Sequence, residues 1–170
     1  MRWPWQRRPD QRVDALGEGL WRHTHDRFRR AVDRYHQMLE AVRSEREPHA
    51  DADTHAALEA AGSELVTALD RVHELCVRAQ SLTPTEGLDI PRGWSDFQRA
   101  LSRAGTMAAQ AAEGVALVRV AGRSGDRAQA SAAVGTVQRA VRDVVQLIEN
   151  ASAAAEIATG TEWGRTSPGG

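Results

Sequence analysis

The sequence predicts an all-α protein, an antiparallel up-down-up-down four-helix bundle over residues 10–160. Apolar residues recur at alternating three- and four-residue spacings through four segments, each sustained for about three heptads. No stretch alternates apolar and polar residues long enough to compete as a strand. The ends of the four segments coincide with helix punctuation. At 170 residues, 41% hydrophobic and 26% charged, the chain is long enough for one core and too apolar to be disordered throughout.

The first helix is expected over residues 10–45, with a seam of Trp21, Phe28, Ala31, Tyr35, Met38 and Val42 widened by Leu20, Val32 and Leu39. Pro9-Asp10 would open it, and Asp26 and Arg30 are spaced for an intrahelical ion pair. Gly17 and Gly19 each cost up to ~1 kcal/mol in a helix, so its first two turns are expected to fray or bend. Pro48 marks the following turn. The second helix is expected over residues 53–82, through Leu58, Ala61, Leu65, Ala68, Val72, Leu75, Ala79 and Leu82. Thr83-Pro84 ends it, because a residue before proline resists the helical region.

The third helix is expected over residues 95–121, with Phe97, Leu101, Ala104, Ala108, Ala111, Val115 and Val118 inward and a capping box of Ser95 and Gln98. Gly122-Arg-Ser-Gly125 is a tight connection. The fourth helix is expected over residues 126–159, through Val134, Val137, Val141, Val144, Ile148, Ala151, Ala155 and Ala158, capped by Asp126 with Gln129 and stopped by Gly160. Short connections predict that each helix packs on its sequence neighbours in alternating direction. Residues 1–9 are expected to form a flexible basic, aromatic arm, and residues 161–170 a disordered tail.

The formal net charge of −1 hides an asymmetry: residues 1–46 carry +4, 47–90 carry −7, and 91–125 carry +3. A basic segment followed by an acidic one suits neighbouring helices that attract each other, and no nucleic-acid partner is expected. All 22 basic residues are Arg, the bias of a GC-rich bacterial genome. Lysine-based chemistry is therefore excluded. The single Cys76 forms no intrachain disulfide, and no secretory leader or membrane-spanning run is visible, so cytoplasmic residence is expected.

No cofactor motif is present, and the seams of helices three and four offer no carboxylate for a metal centre. Asp33-x-x-His36 and Asp70-x-x-His73 are expected to lie off the seams, and every histidine to face solvent. His23, Asp26 and His73 would be the best candidates for a solvent-facing metal site, and His73 for a phosphoacceptor. Cys76 reads as a buried structural thiol.

The reading is thus a non-enzymatic intracellular bundle, adaptor or structural, acting through protein–protein interaction. Its contact residues are Trp3, Trp5, Arg7 and Arg8 in the arm, which also suit an anionic membrane surface, and Arg30 and Arg34 on the first helix. The partner is a protein of unknown identity or a second copy of the chain. A second reading is a regulatory bundle holding a small apolar ligand between the Ala-rich helices three and four. A surface His phosphoacceptor or a metal-binding bundle comes third.

Overall fold

The computed structural model describes residues 15–45 and 51–163, with side chains through residue 160. These residues form α1 (Leu20–Arg43), α2 (Ala52–Leu82), α3 (Ser95–Arg123) and α4 (Arg127–Trp163). No strand occurs among the described residues.

The expected seams are buried with few exceptions. Trp21, Tyr35, Leu58, Leu65, Val72, Phe97, Ala104, Ala108, Ala111, Val137 and Val144 all have 0% exposure. Leu82 is the clearest departure, at 46% exposed, while Met38 and Val134 are half-buried.

The helix ends follow local chemistry. The Asp51 carboxylate accepts from Thr54 N–H at 2.8 Å, and Asp126 accepts from Gln129 N–H at 2.9 Å, each satisfying a free N-terminal donor. The Ser95 capping box does not form: the N-cap is Trp94, with no side-chain cap bond. Gly160 does not stop α4, which runs to Trp163, because a glycine only weakens a helix unless the chain turns left-handed there. At the start of α1 the paired glycines break the helix outright. Gly17 sits at φ +64°, and a Cβ on Gly19 would meet the Thr85 carbonyl oxygen at 2.3 Å, so only glycine admits the chain there. The expected opening at Pro9-Asp10 lies outside the described residues.

The helix pairing differs from the expectation. α1 packs on α2 and α3, and α4 packs on α3 and α2, while α2 and α3 touch only slightly. The connection 83–94 explains this, since twelve residues reach ~40 Å and can cross the end of the bundle. It is pinned there. Trp21 Nε1 donates to the Thr83 carbonyl at 2.9 Å, and the Leu20 N–H donates to Thr85 Oγ1 at 3.0 Å. Trp94, 1% exposed, closes an aromatic cluster with Trp21 and Phe97 at centroid separations of 5.2–5.4 Å.

Tyr35 donates to the Leu58 carbonyl at 2.7 Å, and Arg43 pairs with Glu59 at 3.7 Å, fixing α1 on α2. Thr24 donates to Gln98 Oε1 at 3.0 Å, and Arg123 meets Glu45 at 2.6 Å beside Arg119, fixing α3 on α1. Along α2 and α4, Arg71 reaches Ser152 and Arg78 reaches Glu156.

Helix α4 also holds a correctable weakness. Gly135 lies inside the helix, and a Cβ there would meet nothing within 4 Å. Gly135→Ala is expected to stabilise the fold by ~0.5–1 kcal/mol, because alanine loses less backbone entropy and meets no obstacle. Urea denaturation of the two proteins checks it; a less stable variant would mean the site is not open.

Candidate functional site

Arg27, Arg30 and Arg34 follow one another at three- and four-residue spacing, which sets them in a row along α1. All three are exposed. With Ala31, Asp33 and Gln37 they form one wall of an open groove of about 560 Å³. The facing wall is α3, through Gly105, Thr106 and Ala109. Gly105 is buried, yet a Cβ added to it would meet nothing within 4 Å, so its missing side chain leaves a notch in the groove floor.

The basic residues of α1 divide into two sets. Asp26 draws Arg22 and Arg29, each at 3.8 Å, and accepts from the His25 ring at 3.1 Å. The expected Asp26–Arg30 pair does not form. Arg27, Arg30 and Arg34 make no ion pair among the described residues and present three unneutralised guanidinium groups. Asp33, the acid beside them, is desolvated, which raises its pKa against the opposing pull of Arg29 and His36. Trp3, Trp5, Arg7 and Arg8, the other expected contacts, lie outside the described residues, so the structure brings together only Arg30 and Arg34 of the predicted set.

Two histidines expected in solvent are buried instead: His25 is 6% and His36 7% exposed. Both flank the α1 seam on the side where α2 closes over it. The His25 ring meets His73 edge-on at a centroid distance of 5.2 Å, and His36 lies against Tyr35 and Gly62. His73, expected in solvent as well, is half-buried, and His25 rather than His23 is its neighbour. No group of three His, Cys, Asp or Glu side chains that could hold a metal ion occurs among the described residues. Cys76 is fully buried, and desolvation pushes its thiol pKa up to about 12, out of the nucleophilic range at neutral pH.

Burial lowers the pKa of both His25 and His36 from 6.5; Asp26 opposes this at His25, and Asp33 with a hydrogen bond to the Gly62 backbone opposes it at His36. The folded state therefore holds fewer protons than the unfolded chain just below pH 6.5. Stability contributed by the neutral rings is complete above 6.5 and is lost as pH falls toward the folded values, by at most ~1.4 kcal/mol per pH unit for each ring. Urea midpoints should drop between pH 7.5 and 5.5, and His25→Gln should flatten the dependence. An unchanged slope in that variant would remove His25 from the account.

A larger opening of about 890 Å³ lies between the start of α2 and the connection from α3 to α4. Of its three carboxylates, Asp51, Asp53 and Asp126, the first and last are occupied as helix caps. The α3–α4 seam itself is filled: Ala104, Ala108, Ala111 and Ala112 have 0% exposure, and Gly114 lies against Val137. No helix among the described residues is long and apolar enough to cross a membrane.

Sequence reasoning singled out Arg30 and Arg34 but missed the notch, because whether Gly105 faces a neighbour or a void depends on how α1 and α3 are paired. Compared with protein-family models, with curated proteins and with solved structures, the chain matches none of them.

Proposed function

We propose that this chain is a non-enzymatic helical bundle of the cytoplasm that binds an acidic protein segment along the α1–α3 groove. The observation that carries the reading is the row of Arg27, Arg30 and Arg34, which make no ion pair among the described residues and outnumber the groove's single acid Asp33, beside the open notch at Gly105. A guanidinium presents several donors in a fixed fork that suits carboxylates, and small facing residues let a helix backbone approach closely. The free, fully buried thiol of Cys76 is compatible with a reducing compartment.

The bundle in this reading has helices that alternate in direction along the chain. The contact order supports it. Trp21 at the start of α1 meets Thr83 just past the end of α2, and Tyr35 and Arg43 further along meet Leu58 and Glu59 near the start of α2, whereas Trp21 and Thr24 meet Phe97 and Gln98 at the start of α3, and Glu45, beyond α1, meets Arg119 near its end.

A fluorescently labelled, Glu-rich helical peptide is the probe. Wild type should bind it in a salt-sensitive manner. Arg30→Glu with Arg34→Glu should weaken binding at least ~10-fold without changing the melting temperature, as substitutions at open surface positions do, and Gly105→Leu should block the notch. Equal binding by the charge-reversed protein would overturn the reading.

A further inference from the structure

The charges of this bundle are sorted by layer. α1 carries six Arg against three acids, and α3 four Arg against two, a net +5 for the pair. α2 carries two Arg against five acids, and α4 three Arg against four, a net −4. Because α1 touches α2 and α3 while α4 touches α3 and α2, the basic pair and the acidic pair form opposite faces of the molecule.

Several unneutralised groups follow the same division, although Arg142 on α4 and Glu113 on α3 do not. Arg27, Arg30 and Arg34 line the basic face. On the other face Arg71 bonds Ser152 and Arg78 pairs with Glu156, which marks the strip where α2 and α4 meet. Glu64 lies seven residues before Arg71, and Glu149 seven before Glu156, so each falls on that strip two turns away. Both are exposed and make no ion pair among the described residues.

We infer that a second copy of this chain is the acidic partner: the α1–α3 face of one molecule seats on the α2–α4 face of the next. This rests on the reading of the groove given above and names its occupant. The available area is adequate. The shorter face limits the contact: α1 and α3, of 24 and 29 residues, are ~36–44 Å long, and two helices side by side are ~20 Å wide, giving a footprint of ~700–900 Å². A stable interface takes ~800 Å² from each partner. The contact joins two different faces, so each added copy leaves a basic and an acidic face open, and the assembly grows as a stack instead of closing as a two-fold dimer.

Sedimentation velocity of the full chain at ~20 mM and ~500 mM NaCl tests it, since added salt screens attraction between exposed charges. At low salt, wild type should form concentration-dependent species beyond the dimer, and at high salt it should return to monomer. Arg30→Glu with Arg34→Glu, and separately Glu64→Arg with Glu149→Arg, should each stay monomeric. Their equimolar mixture should assemble again, because the acidic faces of the first variant and the basic faces of the second are complementary. A wild type that stays monomeric at low salt, variants that assemble as wild type does, or a mixture that stays monomeric would each overturn the inference. If wild type is monomeric yet still binds the Glu-rich peptide, the second copy is the wrong occupant and the groove reading stands. If the peptide fails too, both fall.

Discussion

Trp21→Ala is expected to destabilise the fold by ~3–5 kcal/mol, the range for deleting a large buried aromatic. Trp21 has 0% exposure, stands 5.4 Å from the rings of both Trp94 and Phe97, and donates its indole N–H to the Thr83 carbonyl. The substitution removes the packing of α1 on α3 and one of the bonds that hold the 83–94 connection across the bundle end. Trp21→Phe separates the two contributions: it keeps most of the apolar contact and loses the hydrogen bond, a term of ~1 kcal/mol. Urea unfolding followed by circular dichroism would measure both. A loss under ~1 kcal/mol for the alanine variant would show that the aromatic cluster does not hold this end together. The cluster also sets the register of α1 against α3, so groove binding should weaken with it.

Gly114→Leu is expected to cost ~3 kcal/mol or more, at the upper end of overpacking effects. A Cβ on Gly114 would already stand 2.6 Å from Val137 Cγ2 and 3.7 Å from the Val137 backbone nitrogen. The long α3–α4 seam is lined with fully buried alanines and has no slack, so three further carbons must push the helices apart. Gly114→Leu with Val137→Ala should recover part of the loss, because the double variant returns volume to the contact. Equal instability of the double and single variants would place the clash elsewhere. Contrasted with the stabilising Gly135→Ala, this separates a glycine that lets two helices touch from one that faces open space.

The sequence alone determined the helical period, the four seams and the Asp126 cap. These are local matters: a three-four spacing of apolar side chains allows only a helix with a buried stripe, and Asp51 or Asp126 needs nothing beyond its own turn to bond a free N–H. Arg30 and Arg34 were legible as an exposed basic pair for the same reason. Only the tertiary structure decided which helices are neighbours, because the length of the 83–94 connection permits both an adjacent and a diagonal crossing. That choice brought Trp94 beside Trp21 and left space at Gly105, while the packing of α2 on α1 buried His25 and His36 and that of α4 on α3 closed the space at Gly114. Whether a position beside the seam is wet or dry, and whether a glycine meets a neighbour or a void, depends on what a distant stretch of chain places opposite it, and the spacing within one helix carries no record of that.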